Sequence, residues 1–291
     1  MHWQTSRFLL DLVEPKVMGI VNVTPDSFSD GGQHASRDAA IAHCEKLLND
    51  GADILDIGGE STRPGAQELP LAEELERVLP VVRHAVTLGV PVSVDTYKPK
   101  VMQAVLDLGA DIVNDVWSLR WTGDPSGTTG ADVIRQHRNC GVCLMHMHRD
   151  PRTMQTAPME GDVVPKVLSF LEHSAQYIRG LGVDSTRICI DPGIGFGKTV
   201  QQNFALLARQ ADLLHLGYAV MAGWSRKSSL AAVAQFSLSS VATLDIRDRI
   251  VPSVTAALLA VQNGAHVVRV HDVKETVQAL KVFKAMQQQQ C

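Results

Sequence analysis

Short apolar runs alternate with longer amphipathic stretches along the chain. Eight apolar runs predict strands at 17–21, 53–57, 90–94, 111–113, 141–145, 187–190, 218–222 and 266–270. Segments with helical periodicity lie between and after them, at 36–50, 71–88, 98–108, 131–138, 162–180, 201–212, 228–236, 247–263 and 273–287. Strands that alternate with helices in this way predict a parallel sheet covered by helices.

A second pattern marks the points where helices end and strands begin. Glycine, alanine and a polar residue follow one another at Gly51, Gly109 and Gly264. Glycine is common just beyond a helix C-terminus, because the chain there adopts a left-handed conformation. The eight predicted strands, each followed by a helix, predict that the sheet closes into a barrel. The predicted fold is therefore α/β, a (β/α)8 TIM barrel in one domain over 1–291, with its core at about 17–287.

A doubly wound open sheet is the competing architecture. Its glycine fingerprint for dinucleotides would follow the first strand, and it is missing there. The closed barrel therefore remains the prediction.

Composition and charge narrow the class of protein. The chain has 291 residues, of which 45% are hydrophobic, and a net charge of −4 without a basic stripe. This composition argues against a nucleic-acid-binding protein. Asp11 and Glu14 interrupt the N-terminal segment, so it does not resemble a signal peptide, and no stretch approaches a transmembrane span. Five cysteines, an odd number, suggest reduced thiols, and we expect a cytoplasmic protein.

Polar clusters follow the predicted strands, and they are the candidate chemistry of the chain. They read NVTPDSFSDGG at 22–32, DIGGESTRPGA at 56–66, SVDT at 93–96, ND at 114–115, DPGIGFGK at 191–198, SRKS at 225–228 and RVHD at 269–272. The C-terminal ends of barrel strands meet at one rim, where residues distant in sequence converge. That rim is the predicted active site.

Four residues from different strand ends form a predicted array of hydrogen-bond donors and acceptors. Two carboxylates, one carboxamide and one ammonium could satisfy the edge of a flat heterocycle such as a pterin. A single strand-end Asp more often caps a helix, but four such residues together favour a ligand. The array consists of Asp95, Asn114, Asp191 and Lys227.

An anion site is predicted beside this array. Arg269 and His271 alternate along the last strand and so share one face. The region after strands seven and eight of such barrels often binds phosphate. Asn22 ends the first predicted strand, where its carboxamide oxygen could bind a hard cation or cap a turn. Arg63 lies in a glycine-flanked loop and either extends into solvent or closes on the anion.

Three further motifs are weaker evidence for a functional site. PGIGFGKT at 192–199 nearly spells a phosphate-binding loop, but proline occupies the first glycine position, which favours a simple glycine-rich turn. CGVC at 140–143 has redox spacing, yet it enters a predicted inner strand, so buried thiols are expected. His146 and His148 lack the further ligands that a catalytic zinc site needs.

With these residues in view, the chain resembles the dihydropteroate synthase family, the folate-pathway enzymes targeted by sulfonamides. The resemblance covers nearly all of 17–275. The motifs that carry it, in the order typical of the family, are NVTPDSFSDGG, DIGGESTRPGA, SVDTYKP, MHMHRDPRTMQ, DPGIGFGK, GWSRKS and RVHDV. The ordered set is far more specific than any one motif.

The resemblance implies a transferase that condenses 6-hydroxymethyl-7,8-dihydropterin diphosphate with 4-aminobenzoate, and it implies Mg²⁺ and a homodimer. Pterin-binding positions match Asp95, Asn114, Asp191 and Lys227, with Met145 and Phe196 nearby. The magnesium and diphosphate positions match Asn22, Arg269 and His271, with Arg63 expected to join the diphosphate. Positions near 4-aminobenzoate match Phe28, Thr62, Arg63, Pro64 and Ser228. The predicted catalytic set is Asn22, Asp30, Arg63, Asp95, Asp191, Lys227, Arg269 and His271.

Two other functions share parts of this pattern. A pterin-binding methyltransferase domain would have the barrel and the heterocycle array, but it would not need the diphosphate residues. A noncatalytic pterin-binding relative would be expected to have lost loop or anion residues, which are present here. The synthase is the prediction that uses all of the motifs.

Overall fold

The computed structural model describes residues 1–23, 32–61, 68–151, 153–154, 156–234 and 244–289. The strands are β1 His2–Gln4, β2 Leu9–Asp11, β3 Lys16–Asn22, β4 Ile54–Gly58, β5 Val92–Asp95, β6 Ile112–Asp115, β7 Gly141–Met145, β8 Ile188–Asp191, β9 Ala219–Ala222 and β10 Val267–Val270. The helices are α1 Gly32–Asn49, α2 Leu71–Ala85, α3 Pro99–Asp107, α4 Gly130–Gln136, α5 Val164–Gly180, α6 Val200–Ala208, α7 Ser228–Val233, α8 Ile250–Gln262 and α9 Val273–Gln287.

Strands β3 to β10 form a closed barrel of eight parallel strands. Each strand pairs with the next in sequence, and β10 returns to pair with β3, with Arg269 opposite Met18. The helices cover the outside of the sheet, as expected for strands connected by crossovers. The predicted (β/α)8 TIM barrel is confirmed. None of the helices in the described part of the chain is long and apolar enough to cross a membrane.

The turns between helices and strands follow the glycine pattern. Gly51, Gly109 and Gly264 have φ angles of 102°, 100° and 91°, which side chains other than glycine rarely adopt. Each glycine reverses the chain directly before a barrel strand. The recurring motif was therefore correctly interpreted as a helix terminator.

An antiparallel hairpin, β1 and β2, precedes the barrel and was not predicted. Its Trp3 is fully buried and packs with Met18 and Ile54 at the N-terminal end of the barrel interior. Trp3 Nε1 donates to the carbonyl oxygen of Arg187 at 3.0 Å, so the indole also has a polar partner. The hairpin thus closes the end of the barrel opposite the predicted active site.

The register of the strands sorts the interior into layers. Ile54 lies in the apolar layer of the interior, beside Trp3. Residues two positions apart on a strand face the same side, so Asp56 and Gly58 also face the interior. Asp56 is the register partner of Ser93, and Asp95 is the register partner of Asn114. The interior therefore changes from apolar to polar toward the C-terminal rim, where the predicted site residues lie.

Candidate active site

A cluster of charged groups crosses the interior just below the C-terminal rim. Arg269, on β10, donates from Nε to Asp56 Oδ2 at 2.6 Å and from Nη2 to Asp95 Oδ2 at 2.7 Å. These carboxylates belong to β4 and β5, so one guanidinium joins three strands. Arg269 was predicted to face an anion; in this structure two carboxylates hold one edge of its guanidinium.

Asn114 belongs to the same cluster. Its Nδ2 donates to Asp56 Oδ2 at 3.2 Å, and the side chain is buried. Asp95, the last residue of β5, and Asn114, the residue before the end of β6, are register partners, so their side chains point to the same face of the sheet. The predicted heterocycle residues on these two strands therefore do converge.

Burial and neighbouring charge set the protonation of this cluster. Burial raises the pKa of Asp95 to about 7, helped by the charges of Asp56 and Asp115 and opposed by Arg269. Burial also works against the charge on Arg269, but Asp56 and Asp95 outweigh it and raise the pKa of the guanidinium. Arg269 is therefore a permanent cation, whereas Asp95 titrates near neutral pH.

Asp191 and Lys227 form the other side of the predicted array. Asp191 ends β8, and its Oδ1 accepts from the backbone N–H of Gly193 at 2.7 Å. Burial raises the pKa of Asp191, while the Gly193 N–H and the charge of Lys227 oppose the rise. The Lys227 ammonium lies 4.4 Å from the centre of the Phe196 ring, a cation–π contact. Met145 ends β7 as the register partner of Asp191, so it lines the same part of the interior.

The glycine-rich segment 192–199 is a turn, as predicted, and its shape depends on glycine. Gly193 has a φ of 67°, and a Cβ atom there would lie 1.9 Å from the carbonyl oxygen of His146. The turn wraps around the buried Lys198, whose Nζ donates to the carbonyls of Gly193 at 2.7 Å and Phe196 at 3.2 Å. Burial lowers the pKa of Lys198 to about 7. The turn thereby holds Phe196 against Lys227.

His271 and the SRKS segment meet next to this array. His271 Nδ1 lies 2.9 Å from Ser225 Oγ, which also accepts from the backbone N–H of His271 at 3.1 Å. Arg226 pairs with Asp272 at 2.6 Å, which also joins the segment after β9 to the end of β10. Ser228 is exposed at the first position of α7. The segment after β9 is therefore bound to the end of β10.

The segment 60–69, here called the second loop, contains most of the polar cluster at 56–66, and one buried ammonium contacts both of its ends. Lys98 Nζ forms ion pairs with Glu60 and, at 2.6 Å, with Glu74, and it donates to the carbonyl oxygen of Leu69 at 2.7 Å. Glu60 and Leu69 flank the loop, and Tyr97 adds a bond from its hydroxyl to Glu60 at 2.9 Å. The base of the loop is thus fixed to the start of α3.

This buried network yields a stability prediction. Lys98→Met would leave the Glu60 and Glu74 carboxylates buried without their cation, and breaking such a pair costs about 3–5 kcal/mol of unfolding free energy. The exposed pair of Lys46 with Asp50 is the matched control, for which Lys46→Met should cost about 0.3–0.5 kcal/mol. Urea unfolding of both variants measures the difference. Equal losses would contradict a special role for Lys98.

The structure places some of the predicted site residues, and others lie outside the residues that it describes. Asn22 ends β3 and is half-buried, opposite Gly58 of the neighbouring strand. The remaining predicted residues of the first two loops lie outside the described residues; they are Phe28, Asp30, Thr62, Arg63 and Pro64.

Asp56 and Lys198 belong to the predicted polar clusters at 56–66 and 191–198, but sequence reasoning assigned no role to either residue. Asp56 stands in the apolar run at 53–57, two positions from both Ile54 and Gly58, so its inward direction follows from the alternation. A carboxylate on the buried face of a strand is itself a signal, because such a group needs a partner. Lys198 carried no comparable signal, since it follows a flexible glycine turn.

The cysteines of CGVC are buried, as predicted, and His146 is also buried. Cys140 and Cys143 are buried free thiols, and burial raises the pKa of each. Burial lowers the pKa of His146 to about 2, so this imidazole is neutral. Within the described ranges, no group of three or more His, Cys, Asp or Glu residues is placed to hold a metal ion.

Comparison with known proteins agrees with this geometry. A family described as pterin binding enzyme matches residues 18–271. The dihydropteroate synthase of Escherichia coli (strain K12) is 43% identical over 277 residues, which cover 95% of this chain and 93% of that protein.

Solved structures show the same likeness. Xanthomonas albilineans dihydropteroate synthase with 4-aminobenzoic acid has a TM-score of 0.85 and 46% identity, with 96% of this chain and 95% of that chain covered. Burkholderia cenocepacia dihydropteroate synthase complexed with 7,8-dihydropteroate has a TM-score of 0.84 and 45% identity, with 98% and 96% covered. The likeness spans the barrel and every described strand end that carries a site residue, and the chain belongs to the dihydropteroate synthase family.

Proposed function

We propose that the C-terminal rim of the barrel carries out dihydropteroate synthesis with the residues described above. The reaction joins 6-hydroxymethyl-7,8-dihydropterin diphosphate to 4-aminobenzoate and releases diphosphate. The observation that carries this assignment is the position of Arg269, which is bonded to Asp95 of the heterocycle array. A substrate that combines a heterocycle with an anion matches this adjacency of acceptors and cation.

The pterin is assigned to the array around Asp95 and Asp191. The buried Asp191 carboxylate and the half-buried Asp95 carboxylate are acceptors for the ring N–H groups and the exocyclic amine, and Lys227 is a donor for the ring carbonyl. Asn114 completes the edge beside Asp95. Phe196 and Met145 supply apolar surface against the ring. Each polar atom on the edge of a pterin then has a partner of opposite hydrogen-bonding type.

The diphosphate is assigned to Arg269 and His271, with Arg63 as a further cation from the second loop. Among the described residues, Arg269 contacts Asp56 and Asp95 through its Nε edge, and the N–H groups of its far edge are assigned to phosphate oxygens. Asn22 would hold Mg²⁺ through its carboxamide oxygen, and a single protein ligand fits an ion that enters with substrate phosphates. Such an ion neutralises charge on the departing diphosphate.

The 4-aminobenzoate is assigned to the outer part of the rim. Ser228 is exposed next to Lys227, and its hydroxyl is a donor for the carboxylate. The resemblance adds four residues of the first two loops, namely Phe28, Thr62, Arg63 and Pro64. This arrangement would leave the arylamine directed inward, toward the exocyclic carbon of the pterin.

The chemical step needs charge stabilisation and exclusion of water more than acid–base groups. As diphosphate departs, positive charge develops on the pterin, and the carboxylates of Asp95 and Asp191 favour it electrostatically. Arg269 and His271 stabilise the leaving anion at the same time. The arylamine nitrogen then attacks the exocyclic carbon, and the ammonium that forms gives its proton to the released diphosphate. The first two loops, including Asp30, are assigned to exclude competing water. The chain supplies no covalent nucleophile in this scheme.

Omission of single components tests the proposal. Purified protein is given pterin diphosphate, Mg²⁺ and 4-aminobenzoate, each omitted in turn, and dihydropteroate is identified by mass. Product that requires all three supports the synthase. Pterin binding without product would favour a noncatalytic pterin-binding protein, and methyl transfer to a corrinoid protein would favour the methyltransferase.

A pH dependence follows from Asp95. Because burial raises its pKa to about 7, Asp95 is protonated below that pH and loses its capacity as an anionic acceptor. We expect kcat/KM for pterin diphosphate to fall as the pH drops below 7, since this quantity reports ionisations of the free enzyme. Asp115→Asn is the control, because burial raises the pKa of Asp115 to about 7 as well. The acidic limb should persist in this variant, and its loss would assign the limb to Asp115 instead.

A homodimer is the proposed assembly. Four apolar side chains on α8 and α9 are largely exposed, namely Val251, Leu259, Val282 and Met286. Exposed apolar surface of this kind is typical of protein interfaces. Light scattering should give twice the mass of the chain, and Leu259→Glu should shift the mass toward one chain. A single-chain mass for the unsubstituted protein would contradict the dimer.

The cytoplasm is the proposed location. Cys143 and Cys189 are register partners in the barrel interior, and both are free thiols. Paired interior thiols suit a reducing compartment. Cell fractionation with antibody detection tests this location.

A further inference from the structure

Asp56 differs from the other charged residues of the site in its depth. It lies in the middle of β4, below the strand ends, and it is fully buried. None of the substrate contacts assigned above involves it. A fully buried carboxylate is costly unless it is paired, so its partners indicate what it does.

One oxygen of Asp56 bonds to a residue of each half of the site. Oδ2 accepts from Arg269 Nε at 2.6 Å and from Asn114 Nδ2 at 3.2 Å. Arg269 is assigned to the diphosphate, and Asn114 is assigned to the pterin. The distance between these two groups is therefore set through a single atom.

The bond from Arg269 to Asp95 cannot take over the role of the bond to Asp56 during turnover. Asp95 is itself assigned to the pterin and must accept from the substrate. When the pterin occupies Asp95, the bond to Asp56 is the contact that keeps the guanidinium in place. The bond from Asn114 likewise fixes the orientation of its amide, because Nδ2 and not Oδ1 must face Asp56.

We propose that Asp56 is a positioning residue that holds Arg269 and Asn114 at a fixed separation and thereby matches the diphosphate site to the pterin site. This inference rests on the proposed function. A substrate whose pterin and diphosphate are covalently joined gains from such matching, since misplacement of one group by about 1 Å can cost about 100-fold in rate.

Asp56→Asn tests the proposal because it preserves size and removes the charge. We expect kcat/KM for pterin diphosphate to fall about 100-fold. Calorimetry should show weaker binding of two separate probes, inorganic diphosphate with Mg²⁺ and 6-hydroxymethyl-7,8-dihydropterin. Ser93→Ala is the matched control, because Ser93 is the buried register partner of Asp56 and its hydroxyl has no hydrogen-bond partner among the described residues. It should leave both affinities unchanged.

A double-mutant cycle separates positioning from packing. If Asp56 acts through Arg269, Asp56→Asn should have little further effect on diphosphate binding in the Arg269→Ala background. The same loss in both backgrounds would overturn the proposal, as would affinities within about two-fold of the unsubstituted protein in Asp56→Asn alone. If Asp56→Asn does not fold, Asp56→Ser is measured in the same way. Failure of the unsubstituted protein to bind either probe would overturn the proposed function as well.

Discussion

Arg269→Ala should lower turnover of pterin diphosphate by about 1,000-fold, in line with the loss of a donor aimed at developing charge. The variant removes the guanidinium and leaves the carboxylates of Asp56 and Asp95 near the incoming diphosphate, which they repel. We expect the barrel to remain folded, because Asp95, with a pKa of about 7, can take up a proton. Steady-state kinetics with diphosphate release as the signal measure the effect.

Arg7→Ala is the matched control for this experiment. Arg7 also forms a two-pronged contact with a buried carboxylate, at 3.0 and 2.6 Å from the two oxygens of Asp111. This pair lies just before β6, at the opposite end of the barrel from the strand ends that carry the site. Arg7→Ala should reduce stability and leave turnover intact. A loss of turnover equal to that of Arg269→Ala, or saturable turnover unchanged in Arg269→Ala, would refute the anion assignment.

Asp191→Asn should weaken pterin binding by roughly 2–5 kcal/mol, the usual effect of removing one member of a buried charged pair. The carboxylate accepts from Gly193 and faces the charges of Lys227 and Lys198. An amide in its place offers one acceptor where the pterin edge requires two. Calorimetric titration with 6-hydroxymethyl-7,8-dihydropterin measures the loss directly.

Asp115→Asn distinguishes this effect from the general cost of altering a buried acid. Asp115 is also a buried carboxylate at a strand end, but its oxygens accept from the backbone N–H groups of Trp117 and Leu119 at 2.8 and 2.7 Å. Its role is to hold the following turn. Asp115→Asn should therefore lower the unfolding midpoint with little change in pterin affinity, and similar losses of affinity in both variants would contradict the assignment of Asp191.

The barrel could be predicted from the sequence because the relevant signals are local. The strand at 141–145 and the closing helix at 273–287 match β7 and α9 to the residue. The N-terminal hairpin could not be predicted in this way, since strands of three residues show no period. Trp3 is buried only because the barrel provides a place for it, which is tertiary information.

In the site, too, some features could be predicted from local sequence and others depend on tertiary contacts. Asp95 and Asn114 could be placed at one rim because parallel strands end together, and the structure makes them register partners. The direction of the Arg269 guanidinium could not be predicted, because the alternation along β10 fixes the face of the side chain but not its partner. That partner is Asp56, which is distant in sequence and comes close to Arg269 only when the barrel has closed.

The hairpin that closes the barrel has a consequence for the order of assembly. Trp3 reaches the carbonyl of Arg187 across 184 residues of sequence, and β10 must return to β3 across a still longer separation, from Arg269 to Met18. Contacts between such distant residues require closure of a long loop and slow the folding of a chain. The hydrogen bond between Trp3 and Arg187 can form only when β8 has joined the sheet. Refolding of a variant in which Trp117, Trp121 and Trp224 are replaced by Phe, followed by the fluorescence of Trp3, therefore reports when the hairpin seals the N-terminal end of the cylinder.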